Sequence, residues 1–242
     1  MGYTLLHGDC LTLLKTLPDN SIDMLLTDLP YGTTHCKWDT PIDLEQFWLE
    51  VNRAVKTGGC KALFAQTPFD KILGCSNLSQ LRYEWIWEKT QATGHLNAKR
   101  MPMKAHENIL IFYDRLPTYN PQITHGHARK VSTIEHKRHS VKSDIYGEYA
   151  ATTYDSTDRY PRDVVKGATD KQRLCLHPTQ KPVWLCEYLI QTYTNPNETV
   201  LDCCMGSGTV GVACKNTDRH FIGMELDKSY YEIATARLKE ES

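Results

Sequence analysis

Residues 22–27, Ile-Asp-Met-Leu-Leu-Thr, read as an apolar run interrupted only by Asp23 and closed by Thr27. A run of this kind suits a strand buried on both faces of a parallel sheet, because a strand with one wet face would alternate polar and apolar side chains. Its surroundings follow the same plan. Tyr3–His7 reads as a short strand and Cys10–Leu17 as a helix, with apolar residues at 10, 11, 13, 14 and 17. Leu44–Val55 is amphipathic and is closed by Thr57-Gly58-Gly59; Lys61–Ala65 is the next strand and 68–76 the next helix. Tyr83–Trp87 and Ile109–Tyr113 read as further strands. From His177 onward the alternation resumes, with helices over 183–193, 209–216 and 228–239 and strands over 199–202 and 221–225. Strands alternating with helices predict an α/β fold with a doubly wound, mostly parallel sheet covered by helices on both faces.

Between these parts the pattern fails. Residues 115–174 are rich in Thr, Ser, Tyr, His and basic side chains and show little hydrophobic period. A structureless loop of that length does not suit a compact domain, so the stretch reads as an inserted recognition region. The expected organisation is one half-domain over 1–114, the insertion over 115–174, and the second half of the same domain over 175–242.

The whole chain is near neutral, with 28 basic and 29 acidic residues, yet residues 95–142 carry nine Lys or Arg and only three acids, a net +6, with six histidines besides. The remainder must sum to about -7, since the whole chain is at -1. Such asymmetry is what a phosphate-binding face looks like, although a solvated loop would carry it too. The nine cysteines are odd in number and none is spaced C-x-x-C, so they predict free thiols, without a disulfide framework or a zinc site. No apolar run approaches the roughly 20 residues of a membrane span. The N-terminus lacks the regions of a signal peptide, which predicts a cytoplasmic protein.

Three motifs carry chemistry. Leu201-Asp202-Cys203-Cys204-Met205-Gly206-Ser207-Gly208-Thr209 joins a strand to a helix through a small-residue turn, where backbone N–H groups can approach a ligand. About 20 residues on, the next strand ends in Glu225-Leu226, and an acid at that place suits ribose hydroxyls. The plainer reading is a tight turn and a helix-capping acid. Asp28-Leu29-Pro30-Tyr31 follows the apolar run and so lies at the carboxyl edge of the sheet, where ligands bind in open α/β folds. The Asp28 carboxylate accepts hydrogen bonds, Pro30 holds Leu29 extended and so fixes its carbonyl, and Tyr31 offers a face for a planar ring. Alone, the tetrapeptide could be a turn. His177-Pro178-Thr179-Gln180-Lys181-Pro182 is a stiff polar loop entering a helix, which Thr179 could simply cap.

Together and in this order, these motifs resemble the β-class DNA amino-methyltransferases, over nearly everything outside 115–174. In that family the catalytic motif precedes the target-recognition region and the methionine-binding motif follows it. The leading Leu6-His7-Gly8-Asp9-Cys10 looks like the family's adenine-contacting turn. Trp38-Asp39, Gln66-Thr67-Pro68-Phe69, and Trp87-Glu88-Lys89 with Asn97-Ala98-Lys99 look like its supporting motifs. Two places depart from the pattern: Leu29 stands where proline is common, and Cys203-Cys204 where Pro-Phe is common.

The resemblance implies a circularly permuted Rossmann-like fold of the class I methyltransferase type. It implies S-adenosyl-L-methionine as cofactor, double-stranded DNA as partner, and a homodimer; it assigns no partner nuclease. Asp28 and the Leu29 carbonyl would hold the target amine, Pro30 would stiffen the turn, and Tyr31 would stack on the flipped base. Asp9 and Cys10 would meet the cofactor's adenine, and Glu225 and Leu226 its ribose. Asp28, Asp202, Gly206, Ser207, Gly208 and Thr209 would line its methionine side, with Thr179 and Lys181 near the carboxylate. Lys99, Arg100, Lys104, Arg129, Lys130, Lys137 and Arg138 are the candidate phosphate contacts.

Those acceptors would serve adenine N6 or cytosine N4 alike. Cytosine-directed members more often carry Ser in place of Asp28, so adenine is the expectation. An RNA or protein-glutamine methyltransferase, which tends to carry Asn there, and a non-catalytic nucleic-acid-binding module remain the alternatives. A dehydrogenase fits less well, because the first glycine of G-x-G-x-x-G is out of place.

Overall fold

The computed structural model describes residues 2–32, 40–133, 142–143, 147–148, 153–170 and 180–240. The elements run β1 (Tyr3–His7), α1 (Cys10–Leu14), β2 (Ile22–Thr27), α2 (Leu44–Ala54), β3 (Val55–Ala65), α3 (Phe69–Ser76), β4 (Leu81–Thr93) and β5 (Lys104–Phe112). They continue with β6 (Lys130–Ser132), β7 (Lys142–Ser143), β8 (Gly147–Glu148), β9 (Tyr154–Ser156) and β10 (Val164–Gly167). The last are α4 (Val183–Tyr193), β11 (Thr199–Asp202), α5 (Thr209–Asn216), β12 (His220–Glu225) and α6 (Lys228–Glu240). The chain forms two compact units, Met1–Asn120 with Asp163–Ser242, and Pro121–Arg162.

The larger unit is built on one eight-stranded sheet of order β1-β12-β11-β2-β3-β5-β4-β10. The neighbours pair in parallel, except that β5 runs against both β3 and β4. The apolar run is thus an inner strand, as its composition requires. Pleat alternation divides its side chains: Met24 and Leu26 enter one core with Leu185, Leu189 and Ile190 of α4, Val210 and Ala213 of α5, and Ala234 and Leu238 of α6. Leu25 faces the other way, into a core with Leu14 of α1, Phe47 and Val51 of α2, and Phe69 and Leu73 of α3. The sheet is therefore wound on both faces.

Several elements differ from the sequence expectation. α1 stops at Leu14. β3 begins at Val55, where α2 ends, and takes in Thr57-Gly58-Gly59, the stretch expected to be a breaker. Its pairing with β2 is irregular there, since Ile22 meets Val55 but Met24 meets Cys60. Val164–Gly167, expected within the insertion, is the edge strand β10, in register with Ile86–Lys89 of β4. Its short valine pair needs no periodic signal because the sheet edge supplies the ladder. Two indoles also fix it: Trp87 Nε1 donates to the Gly167 carbonyl at 3.1 Å, and Trp184 Nε1 donates to the Ala168 carbonyl at 2.9 Å.

Among its described residues the smaller unit holds two antiparallel pairs, β6 with β9 and β7 with β8, and a bridge between Thr124 and Arg159. The Arg159 guanidinium ties its loops by donating to the Asp158 carbonyl at 2.6 Å and the Ala128 carbonyl at 2.5 Å.

Gly208 opens α5 in the left-handed region, at φ 78°, and a Cβ there would lie 3.0 Å from the Cβ of Ala234 in α6. Gly208→Ala is expected to destabilise the protein by about 1–2 kcal/mol, the usual cost of left-handed backbone for a residue with a Cβ. A urea denaturation midpoint indistinguishable from that of the unsubstituted protein would contradict this.

Candidate active site

The carboxyl ends of β2, β11 and β12 open onto one cavity of about 730 Å³. Asp28, Leu29, Pro30 and Tyr31 line it from the end of β2. Asp202, Gly206, Ser207 and Thr209 line it from the turn between β11 and α5, and Glu225 and Leu226 from the end of β12. Asp9 and Cys10 reach it from the start of α1, and Lys181 from the segment before α4. Residues 200 positions apart in sequence meet because the parallel order puts the carboxyl ends of these strands on the same edge. Gly208 does not line the cavity; it packs behind the turn against Ala234. Thr179, Trp38 and Asp39 lie outside the described residues.

On the turn side, local hydrogen bonds hold the backbone. Gly206 N–H donates to Glu225 Oε2 at 2.9 Å, and Glu225 Oε1 accepts from Asp227 N–H at 2.8 Å. Asp202 Oδ1 accepts from the Thr27 hydroxyl at 2.8 Å and from Cys204 N–H at 3.1 Å. Asp9 Oδ1 caps α1, accepting from Thr12 N–H and its hydroxyl, both at 2.9 Å. Cys10, Cys203 and Cys204 bring three free thiols to the same wall.

Burial pushes the Asp202 carboxyl up to about 7; its hydrogen bonds from Thr27 and Cys204 oppose this, and the charges of Asp28 and Glu225 add to it. Burial likewise raises Glu225, against the hydrogen bonds from Asp227 and Gly206. The unfolded chain releases the Asp202 proton near 3.8, whereas the fold holds it to about 7. Stability from that bound proton is therefore full below the unfolded value and is lost as pH rises through the folded one. Asp202→Asn can keep Oδ1 for both donors and is expected to flatten this decline. Denaturant midpoints at pH 5 and pH 8 check it: the variant should gain on the unsubstituted protein at the higher pH, and a constant difference would contradict the assignment.

On the Asp28 side, charged groups form a row. Tyr31 O–H donates to Asp28 Oδ1 at 2.5 Å, and the Lys181 ammonium donates to Asp28 Oδ2. The same ammonium lies 3.4 Å from Glu107 Oε2, and Glu107 Oε1 accepts from Lys89 Nζ at 2.5 Å. Burial raises Asp28 above the ordinary aspartate value; the Lys181 charge opposes it and Glu107 reinforces it. Burial would also raise Glu107, but the ammonium groups of Lys181 and Lys89 outweigh it and hold the carboxyl below its usual value. Lys181 is pulled down by burial but raised on balance by Asp28 and Glu107, so it stays charged. The Tyr31 ring stacks on Phe69, with centroids 4.9 Å apart.

Sequence reasoning missed Glu107 and, by the family resemblance, expected Lys181 near the cofactor's carboxylate; its ammonium donates to Asp28 Oδ2. Of the supporting motifs it named, Gln66, Trp87 and Lys89 line the cavity and Phe69 backs Tyr31, whereas the Asn97–Lys99 stretch is exposed and lies outside the lining. Among the expected phosphate contacts, Lys99 and Arg100 are exposed beside the turn at His95–Asn97. Lys104 donates to Gln66 Oε1 at 3.2 Å. Lys130 is exposed on β6 in the smaller unit. Arg129 makes a forked, exposed pair with Asp155, at 2.7 and 2.6 Å, which offsets the charge of that one candidate. Lys137 and Arg138 lie outside the described residues.

A doubly wound sheet with an acid-lined cavity at its switch edge is the class I methyltransferase arrangement. The DNA methylase family profile of the N6/N4 methyltransferases matches residues 22–236, and the chain belongs to that family. The Type II methyltransferase M.HpaI of Haemophilus parainfluenzae is 29% identical, an alignment covering all of this chain and 76% of that protein. Among solved structures, the M1.HpyAVI–SAM complex superposes with a TM-score of 0.65 at 24% identity, covering 98% of this chain and all of that one. The cytosine-N4-specific PvuII DNA methyltransferase superposes at 0.69 with 16% identity, covering 98% and 86%. The protein is a DNA methyltransferase of the N6/N4 family. Among the described residues, no helix is long and apolar enough to cross a membrane.

Proposed function

We propose that the protein transfers a methyl group from S-adenosyl-L-methionine to the N6 amine of an adenine flipped out of duplex DNA. One observation carries the reading: the Asp28–Tyr31 edge and the turn with Glu225 line the same cavity. Its donor set suits the cofactor. Asp28, Asp202 and Glu225 are carboxylates raised by burial, an environment that favours a positively charged ligand, and Glu225 stands where ribose hydroxyls can reach it. When bound, the cofactor supplies an activated methyl on a cationic sulfur.

The chain's own residues supply the rest. The amine is a poor nucleophile because its lone pair is shared with the ring. Hydrogen bonds from it to Asp28 and to the Leu29 carbonyl bias the nitrogen toward a tetrahedral shape and aim its lone pair. Asp28 is an acceptor during transfer and takes up the proton that becomes acidic once nitrogen is methylated. Positioning and electrostatics supply most of the acceleration. Flipping costs a few kcal/mol, and stacking on Tyr31 offsets about 1–3 kcal/mol of it. The carboxylate at position 28 favours adenine; the likeness to a cytosine-N4 enzyme keeps that amine as the second reading. Exposed Lys99, Arg100, Lys104 and Lys130 are the proposed phosphate contacts, and a homodimer is the proposed assembly.

The test is label transfer from methyl-labelled cofactor to unmethylated genomic DNA, with RNA and mixed protein as parallel acceptors. Label in DNA alone is expected. Label in RNA or protein and none in DNA would overturn the reading.

A further inference from the structure

The Lys181 ammonium lies between two carboxylates. It donates to Asp28 Oδ2, and Glu107 Oε2 stands 3.4 Å away on its other side. Solvent reaches the contact little, since the Lys181 side chain is 10% exposed and that of Glu107 12%. Lys89, equally buried, closes the row on Glu107 Oε1 at 2.5 Å. The four groups come from four places in the chain, the end of β2, the segment before α4, β5 and β4, and their charges alternate. A single ammonium on a buried carboxylate would pair with it tightly and weaken it as an acceptor for anything else. An ammonium drawn on by a second carboxylate does so less.

We propose that Glu107 is a positioning residue for methyl transfer: by holding part of the Lys181 ammonium's interaction, it leaves Asp28 a strong hydrogen-bond acceptor for the substrate amine. The part about the amine rests on the proposed function; the sharing of Lys181 does not. Other groups face Asp28 as well. Tyr31 donates from its own turn, Asp202 stands at the end of β11, and Glu225 acts on Asp202 from the end of β12. Cys186 of α4 feels the Asp28 charge but is a protonated thiol, raised by burial. None of these lies between Lys181 and Glu107, so substitutions at 107 and 181 act on the shared cation.

The sharing makes a signed prediction. Glu107→Gln removes a neighbouring negative charge and gives Lys181 wholly to Asp28, so the Asp28 titration should move down. Lys181→Met removes the opposing positive charge, so it should move up. Each shift should reach about one pH unit, the lower end of what one adjacent charge produces. The measurement is a carbon-13 NMR titration of aspartate-labelled protein without cofactor, with the Asp28 resonance assigned by its loss in Asp28→Asn. Glu107→Asp, which keeps the charge but withdraws it, should fall between Glu107→Gln and the unsubstituted protein, and it serves if the glutamine variant does not fold.

Opposite shifts support the shared cation. Shifts of both variants in the same direction, as water entering a loosened pocket would give, or an unmoved Asp28, would overturn it. In single-turnover assays Glu107→Gln should lower the methyl-transfer rate about tenfold, the effect of roughly one unit of acceptor strength, with cofactor affinity unchanged. Opposite NMR shifts in a protein that methylates nothing would uphold the ion row and reject the proposed function.

Discussion

Asp28→Asn should lower the methyl-transfer rate on the order of 10²–10³-fold, the scale of removing one preorganised polar partner from a reacting centre. The substitution keeps the shape of the side chain and can keep Oδ1 as acceptor for the Tyr31 hydroxyl. It removes the negative charge that would stabilise the developing positive charge on the amine nitrogen. It also leaves the Lys181 ammonium with Glu107 as its remaining carboxylate. Cofactor affinity should fall less than the rate, because Asp202 and Glu225 remain and the turn at 203–207 is held by its own hydrogen bonds. Single-turnover rates with equilibrium dialysis of the cofactor separate the two effects. A rate within tenfold of the unsubstituted enzyme, or a parallel loss of cofactor binding, would contradict the role given to Asp28.

Phe221→Ala carries the largest expected cost in stability, about 3–5 kcal/mol. Phe221 is 1% exposed on β12, and its ring occupies the space left by two missing side chains. A Cβ on Gly211 of α5 would lie 2.8 Å from it, and a Cβ on Gly223 of its own strand 2.6 Å. Helix α5 lies close to β12 through this arrangement, and the Met205 sulfur would lie only 2.4 Å from that same Gly223 Cβ. The core under the turn at 203–207 therefore has no slack to collapse into the hole. For a chain of this size each kcal/mol moves the melting temperature by about 2–4 °C, so the melt should fall by roughly 6–20 °C. A fall of less than about 3 °C would mean that α5 can settle onto β12 and that the fit at the two glycines is not tight.

What the sequence disclosed follows a physical line. The inner strand β2, the small-residue turn after β11 and the acid ending β12 were legible because each rests on local chemistry: a run apolar but for Asp23 and Thr27, glycines, and a fixed spacing to the next strand. The pairing direction of β5 was not legible, since Lys104–Phe112 reads the same whether it runs with or against its neighbours. Strand β10 was hidden in a polar stretch because the edge of β4 and the indoles of Trp87 and Trp184 hold it, with little help from its own hydrophobicity. The ion row was hidden for the same kind of reason. Asp28, Lys89 and Lys181 stood in separate motifs and Glu107 in none, and only the fold brings the four together. The surface pairing of one basic side chain was hidden too: Arg129 meets Asp155, which lies 26 residues on.

The most direct measurement is nucleoside analysis by mass spectrometry of unmethylated duplex DNA after incubation with S-adenosyl-L-methionine and either the unsubstituted protein or Asp28→Asn. N6-methyladenine whose initial rate of formation falls on the order of 10²–10³-fold with the variant is the predicted result and ties reaction, target and acceptor together. N4-methylcytosine in its place, or N6-methyladenine formed by Asp28→Asn within tenfold of the unsubstituted rate, would contradict it.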